Sequence, residues 1–244
     1  MPSKKLILTK THDKCGAKQP RLAVICIHGI ASDSSTFARA LDYLEGISTL
    51  NEVRFITFDL LGSGKSLKDD NLNYDYKEQL EALHNAIEEL KLDIPLILIG
   101  HSMGTFIVTR YADTYKNSIK KLILLSAPVY TERDLESPAM EMAIKAFEDA
   151  VSIKDKEILK EKSFINSMQN IVLDKKNYKT LLELKTPAVL IYGELDKFIA
   201  VFNYPKILSK NKEYLTAIRT AGRHGITSDK YTKMVDVLEG ALND

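Results

Sequence analysis

Seven short apolar runs recur along this chain of 244 residues, each bounded by polar residues, Gly or Pro. They are KKLILT, RLAVICIHG, VRFITFD, IPLILIGHS, KKLILLSAP, PAVLIYGELD and YLTAIRTAG. The runs are continuous rather than alternating in polarity, and continuous apolar strands are typical of a parallel sheet that is covered on both faces. The pattern therefore predicts the strands of a mostly parallel central sheet.

Segments with a helical period lie between these runs. Residues 74–91 and residues 228–242 carry apolar side chains at steps of three and four residues, which predicts an amphipathic helix in each segment. Strands and helices alternate along the chain, and this alternation indicates the α/β class, with helices flanking the sheet.

The alternation stops between Tyr130 and about Lys185, where no strand-like run occurs. Ser137-Pro138 is a typical helix start, because the serine can cap the helix and proline fits its first turn. The apolar positions that follow at helical spacing are Met140, Ile144, Phe147, Val151, Ile158, Leu159, Phe164, Ile165, Met168 and Ile171. The stretch is too short for a core of its own. We therefore predict a core formed by residues 1–128 and 181–244, with a helical cap insertion over residues 129–180.

Composition and charge limit the choice of partners. The chain has 34 basic and 33 acidic side chains and a formal net charge of +1, which favours neither nucleic acid nor an anionic membrane. No apolar run approaches the ~20 residues of a membrane span, and the N-terminal run is too short for a signal peptide. Cys15 and Cys26 form neither a disulfide framework nor a metal-ligand spacing. We expect a cytoplasmic protein with a small-molecule partner, no metal and no cofactor; the oligomeric state is left open.

One glycine-rich segment needs testing as a nucleotide-binding loop. FDLLGSGKS, residues 58–66, ends in Gly-Lys-Ser, but the P-loop spacing places Asp59 where the first glycine should stand. A carboxylate there would face the phosphates. The dinucleotide pattern GxGxxG also fails, because Leu67 occupies its third glycine position. We interpret residues 62–64 as a turn between a strand and a helix.

The stretch GHSMG, residues 100–104, carries the most informative motif. It fits GxSxG and lies between a buried strand and a helical segment. In that context the serine stands on a sharp turn, and the two glycines let the neighbouring backbone approach closely. Serine is a weak nucleophile and requires a histidine base that is oriented by a carboxylate. Ser102 is thus the candidate nucleophile.

The chain offers five histidines as the base. His12 lies in a polar stretch without structural signals, and His84 is expected to pack beside a helical stripe. His28 ends a strand. His101 is expected to point away from the serine and into the core. His224 lies between two glycines after the last strand, a position that packing explains poorly, and we predict it to be the base.

Two carboxylates follow the penultimate strand, Glu194 and Asp196. We favour Asp196, because it lies further beyond the carboxyl end of the strand, where open parallel sheets collect their sites. The chain order is then Ser102, Asp196, His224, the order that is typical of a nucleophile on a strand-to-helix turn.

An oxyanion formed during acyl transfer needs two preorganised donors. The residue after the serine, Met103, supplies one backbone N–H. The second is expected from Ile30 in the HGI segment, where Gly29 leaves room for the acyl group. His28 would then brace this loop.

These motifs resemble the α/β-hydrolase family over nearly the whole chain. They are HG after an early strand, Asp59 with GSGKS after the next, GHSMG, YGELD, and RHG before the last helix. The resemblance implies the α/β-hydrolase fold, with the glycine-rich turn as scaffold and residues 129–180 as a cap over Ser102. It also implies a serine hydrolase that acts on small to medium carboxylic esters or thioesters through an acyl-enzyme.

Departures from the family pattern sharpen this expectation. The chain lacks the HGGG of lipases and esterases, which points to small esters or thioesters in a capped pocket. Serine at position 102 argues against epoxide hydrolases and dehalogenases, which use aspartate there. The region before Arg21 holds one clear strand where the full fold has two. A cofactor-free lyase and a non-catalytic ligand-binding protein on the same fold are the alternatives.

Overall fold

The structure is a computed structural model that describes residues 5–115 and 119–243. The predicted core of residues 1–128 and 181–244 therefore includes positions outside the described ranges. Within those ranges the chain forms a seven-stranded sheet in the order β1-β3-β2-β4-β5-β6-β7. The strands are β1 Thr9–Lys14, β2 Leu22–Ile27, β3 Val53–Asp59, β4 Leu96–His101, β5 Ile119–Leu125, β6 Ala188–Gly193 and β7 Leu215–Thr220. All neighbours are parallel except the pair of β1 and β3, which confirms the mostly parallel α/β sheet.

Helices cover both faces of the sheet. The α-helices of the described residues are α1 Ala38–Glu45, α2 Tyr76–Glu89, α3 Met103–Thr114, α4 Glu132–Leu135, α5 Pro138–Ser152, α6 Lys162–Ser167, α7 Lys176–Leu182, α8 Tyr204–Lys210 and α9 Ser228–Asn243. The two helices predicted from their periodicity are α2 and α9. Among the described residues, no helix is long and apolar enough to cross a membrane.

The apolar strands contribute to two cores, one on each face. In β4, Leu98 packs into the core that also holds side chains of α2 and α3, whereas Ile97 and Ile99 pack into the core beside α1 and α9. Successive residues of a strand point to opposite faces. A strand covered on both faces must therefore be apolar throughout, as the sequence runs indicate.

The predicted N-terminal strand is misplaced. KKLILT was expected to enter the sheet, but the first strand is the more polar Thr9–Lys14, antiparallel to β3. The apolar residues before it lie against α2 instead: Leu8 N–H donates to Ala82 O at 3.4 Å, and Asn85 donates to Leu6 O at 2.8 Å. An antiparallel edge strand with a solvated face needs no continuous apolar run, which is why the sequence pattern missed it.

The segment between β5 and β6 contains helices and loops but no strand among its described residues. It contains α4, α5, α6 and α7, a 3₁₀ turn at Glu157–Lys160 and a π-helical segment at Met168–Val172. Helix α5 starts as predicted, with Ser137 Oγ accepting from Met140 N–H at 3.3 Å and Pro138 in the first turn. The division into a core and a cap over residues 129–180 stays a prediction.

Candidate active site

Ser102 stands on a strained turn between β4 and α3. Its backbone has φ 52° and ψ −121°, a combination that L-residues adopt rarely and that is concentrated at functional sites. The flanking glycines permit this turn. A Cβ at Gly104 would lie 2.3 Å from Ile27 O, and one at Gly100 would lie 2.5 Å from Gly104 O. The GxSxG spacing is thus required by close contacts between backbone segments.

The structure brings Ser102, His224 and Asp196 together from the ends of three strands. Ser102 Oγ lies 3.0 Å from His224 Nε2, and His224 Nδ1 lies 2.9 Å from Asp196 Oδ2. An ionised carboxylate accepts hydrogen bonds but cannot donate them. His224 therefore carries its proton on Nδ1 and leaves Nε2 free to accept from the serine. The serine, base and acid predicted from the sequence therefore form one continuous hydrogen-bonded chain.

Asp196 is held as a carboxylate although its side chain is fully buried. Burial works to raise the pKa of this carboxyl, but the hydrogen bond from His224 and the backbone N–H of Phe198, at 2.9 Å from Oδ1, outweigh it and keep the pKa below its usual value. Glu194 lies apart, half exposed, with its carboxylate 3.6 Å from Arg219. Of the two carboxylates considered, only Asp196 contacts the histidine.

The HGI segment lies directly beside the serine. A Cβ at Gly29 would come within 2.9 Å of Ser102 Cβ. His28 is fully buried, accepts from Leu60 N–H at Nε2 (2.9 Å) and donates from Nδ1 to Gly29 O (2.8 Å). Burial lowers the pKa of His28, so the ring is neutral in this role. His28 thus braces the loop, as expected.

The two expected oxyanion donors make no hydrogen bond to the described part of the protein. Met103 is the first residue of α3, where backbone N–H groups have no partner within the helix. In the part of the chain that the structure describes, neither the N–H of Met103 nor that of Ile30 donates to a protein acceptor. Ile30 lines the same cavity as Ser102 and His224. Both groups are therefore available to a ligand.

His101 was expected to point away from the serine and into the core, but the structure shows a further contact. It is buried, but its Nε2 lies 2.9 Å from His224 O. Burial lowers the pKa of His101 to about 3, so the ring is neutral and donates from Nε2 to that carbonyl. Its Nδ1 has no partner among the described residues, which fits the unprotonated nitrogen of this tautomer. His101, the residue before the candidate nucleophile, therefore helps to hold the loop of the candidate base.

Sequence reasoning missed Lys230. This lysine of α9 is fully buried, and its Nζ contacts backbone carbonyls of the loop that carries His224. A signal was present: residue 230 lies four residues before Met234 and eight before Leu238, both of which are buried. Helical period therefore places the lysine on the apolar face of α9.

A small apolar cavity opens above Ser102. Phe198 stands at its edge, with its ring centroid 5.5 Å from that of His224 and 5.7 Å from that of Phe147. Most of the lining residues belong to the segment between β5 and β6. The lining residues are Ile30, Ser102, Pro128, Tyr130, Met140, Ala143, Ile144, Phe147, Met168, Val172, Leu173, Phe198 and His224. Phe164, another aromatic residue at helical spacing in this segment, lines a separate polar cleft.

The glycine-rich turn folds around Asp59. Its two carboxylate oxygens accept from Ser34 N–H at 2.9 Å and from Lys65 N–H at 2.8 Å. A Cβ at Gly64, whose φ is +49°, would lie 2.2 Å from Asp59 Oδ2. The carboxylate occupies the space that a phosphate would need. The segment is a scaffold turn, as interpreted from its spacing.

Comparison with known proteins agrees with this fold. A family model for the alpha/beta hydrolase fold matches residues 23–151, a range that includes Ser102 but ends before Asp196. The probable lysophospholipase BODYGUARD 1 of Arabidopsis thaliana is 34% identical over 109 residues, 44% of this chain and 23% of the relative. The human (lyso)-N-acylphosphatidylethanolamine lipase is 32% identical over 108 residues, 43% of this chain and 30% of the relative. The match thus spans less than a third of either relative.

A solved structure extends the likeness to the whole fold. An esterase from Exiguobacterium antarcticum superposes with a TM-score of 0.72 over 97% of this chain and 96% of its own, at 19% identity. At that identity the likeness concerns the fold alone. Sequence and structure comparisons therefore converge on one architecture.

Proposed function

This chain belongs to the α/β-hydrolase fold family, and on that premise we propose that it is a serine hydrolase of small to medium carboxylic esters or thioesters. One observation carries the proposal. Ser102 Oγ, the His224 ring and Asp196 form a hydrogen-bonded chain with distances of 3.0 and 2.9 Å, and this chain opens onto an apolar cavity beneath the cap.

Acylation begins with proton transfer from Ser102 Oγ to His224 Nε2 as Oγ attacks the acyl carbon. The new C–O bond pushes the carbonyl electron pair onto oxygen. The N–H groups of Ile30 and Met103 receive this oxyanion, and they need no reorganisation because the backbone already holds them. Asp196 stabilises the imidazolium that forms. Each group acts at the moment when charge develops beside it.

Collapse of the tetrahedral intermediate releases the alcohol or thiol. His224 returns the proton to the leaving oxygen or sulfur as that bond breaks, leaving the acyl group on Ser102. Water then attacks the acyl carbon while His224 Nε2 takes its proton. A second collapse releases the carboxylic acid and returns the proton to Ser102 Oγ.

The cavity defines the acyl group by its chemistry. Among the described residues, its lining includes no Asp, Glu, Lys or Arg, so a charged acyl chain would lose its hydration without gaining a partner. An apolar lining with a few polar groups is typical of small-molecule pockets. An uncharged acyl chain of limited length fits this space. The names of the two sequence relatives, a probable lysophospholipase and a lipase, support acyl esters as the class.

Hydrolysis of p-nitrophenyl acetate, butyrate and octanoate tests the proposal. Ser102→Ala should stay folded and lower kcat by roughly 10⁴ to 10⁶, the scale of removing a nucleophile of this kind. Near-wild-type turnover in the variant would remove Ser102 from the mechanism. If the wild type hydrolyses neither these esters nor their thioester counterparts, the hydrolase proposal fails, and a cofactor-free lyase or a binding protein takes its place. The cytoplasmic location stays a prediction.

A further inference from the structure

Lys230 of α9 is buried behind the candidate base. Its exposure is 0%, whereas lysine is almost never fully buried unless it is paired. The Nζ lies 2.7 Å from Ser126 Oγ, 2.9 Å from Gly225 O and 3.2 Å from His224 O, and it also contacts Arg223 O. These hydrogen-bond partners are three backbone carbonyls and a hydroxyl. The ammonium is thus enclosed by neutral oxygens.

Three of those oxygens are the carbonyls of the successive residues 223, 224 and 225. An ammonium has three N–H donors, and the closest acceptors are those of Arg223, Ser126 and Gly225. The more distant His224 O also receives the Nε2–H of His101 at 2.9 Å. Among the described residues, Arg223 O has no donor other than Lys230. His224 O is shared with His101, and Gly225 O also accepts from the N–H of Thr227 at 3.1 Å.

Convergence of successive carbonyls on one point is unfavourable without a cation between them, because their negative ends face one another. If the ammonium were removed, the carbonyl of Arg223 would lose its donor, and the three carbonyls would still face one another without a cation between them. The loop could relieve this only by turning its carbonyls toward water. Such a turn would rotate the peptide groups on both sides of His224 and move its ring.

We propose that Lys230 is a positioning residue, whose ammonium holds residues 223–225 curled so that the His224 ring reaches Ser102 and Asp196 together. Lys230 makes no hydrogen bond to Ser102, to Asp196 or to the ring of His224; it acts through the loop, and its charge also favours the ionised form of Asp196. The inference rests on the proposed function in so far as it concerns turnover. Its structural part, the placement of the ring against Asp196, is independent of any substrate.

Lys230→Met and the control Lys233→Met test this role. Both changes replace a lysine of α9 by an unbranched apolar side chain, but Lys233 is about half exposed and lies 3.8 Å from Asp236. We expect Lys230→Met to lower kcat per titrated active site by about 10², the effect of a displacement near 1 Å. KM should change less than about threefold, because Lys230 does not line the acyl cavity. Lys233→Met should match the wild type.

A second measurement needs no substrate. The proton between His224 Nδ1 and Asp196 should give a low-field NMR signal in the wild type and in Lys233→Met, and the signal should be shifted or lost in Lys230→Met. If a wild-type enzyme turns over no ester, the proposed function has failed, and this signal alone decides the role of Lys230.

Other substitutions keep the inference open to refutation if Lys230→Met does not fold. Lys230→Gln, a neutral amide with two donors, should then show the same loss of kcat and the same shift in signal. If that variant also fails to fold, Lys230→Arg should lower kcat about tenfold, because a planar guanidinium cannot aim its donors at three converging carbonyls. Unchanged kcat and an unchanged signal in any folded variant, with a lowered Tm, would show that Lys230 only stabilises α9.

Discussion

The sheet rim, meaning the loops that follow β2, β4, β6 and β7, and the cap helix α5 bound the same cavity but are held in different ways. At the rim, directional hydrogen bonds fix the side chains: His224 binds Ser102 and Asp196, and its backbone carbonyl binds His101. In α5, only Met140 is fully buried. The polar contacts of the described α5 side chains lie within the helix or at its N-cap residue. The inward face of α5 contacts the rim through the rings of Phe147 and Phe198.

This difference separates the chemistry from substrate choice. Proton transfer requires groups placed within tenths of an ångström, and only directional partners on several sides provide that precision. Apolar contacts tolerate changes in shape more readily. The later part of the cap is anchored differently, since Arg110 pairs with Asp174 at 2.8 Å. Changes at the rim should therefore alter the rate, and changes on α5 should alter which acyl chain is accepted.

The largest expected effect concerns the acid of the rim. Asp196→Asn should keep the fold and lower kcat by about 10⁴, because an amide can hold the imidazole in the wrong tautomer and cannot stabilise its protonated form. Glu194→Gln is the matched control and should stay near the wild type, since the Glu194 carboxylate lies beside Arg219 and makes no contact with His224 among the described residues. Steady-state turnover of one ester at one pH compares them. A crippled Glu194→Gln beside an active Asp196→Asn would reverse the assignment.

A second prediction concerns pH, through His101. Its pKa is lowered to about 3 by burial, whereas an unfolded histidine titrates near ~6.5. Below about pH 6.5 the unfolded state binds a proton that the native state does not, so stability is lost as the pH falls toward the folded pKa. His101→Gln keeps an N–H donor without this titration.

Urea unfolding at about pH 7.5 and about pH 4.5 measures this loss. The wild type should lose on the order of 2 kcal/mol more unfolding free energy than His101→Gln between those conditions. Equal losses in both proteins would show that His101 is not the buried neutral histidine that the structure describes.

A pair of glycines tests how tightly the rim is packed. Gly29→Ala should lower kcat about tenfold, because the new Cβ would lie 2.9 Å from Ser102 Cβ and push the loop of Ile30 away from the oxyanion. Gly225→Ala introduces a methyl group with nothing within 4 Å, and its kcat should stay near that of the wild type. If both variants keep full activity, the HGI loop does not position an oxyanion donor.

The smallest effect is expected in the cap. Phe147→Ala enlarges the acyl cavity, so kcat/KM for the octanoate ester should rise several-fold relative to acetate, while acetate itself changes little. Met142→Ala is the control on the same helix, since Met142 is 73% exposed. Activity series over the three p-nitrophenyl esters give the comparison. A general loss of rate in Phe147→Ala would mean that α5 takes part in the chemistry.

The rim could be predicted from the sequence more fully than its supports. The reaction chemistry dictates a serine, a base and an acid at the ends of strands, so Ser102, His224 and Asp196 could each be found by position and residue type. Helical period could have placed Lys230 on the buried face of α9, but neither its contacts nor those of His101 could be found in that way. Both side chains contact backbone carbonyls, and residue types do not indicate which carbonyl a side chain will contact.

The fold shows the same division. Strands such as β4 were predictable because burial on both faces demands apolar residues throughout. The edge strand Thr9–Lys14 was missed, because its pairing with β3 depends on backbone hydrogen bonds that polar residues make equally well. In the cap, periodicity indicated helices, but Phe147 and Phe164 turned to different clefts. These short helices do not pack on the sheet, so the sequence pattern does not indicate which cleft each helix faces.

The central claim is that Ser102 is an activated nucleophile, and covalent labelling tests it most directly. A fluorophosphonate reacts with a serine that a neighbouring base deprotonates. Intact mass and peptide mapping should find one phosphonyl group per wild-type chain, located on Ser102, and none on folded Ser102→Ala. A folded wild type that stays unlabelled, or a label that persists in Ser102→Ala, would contradict the account.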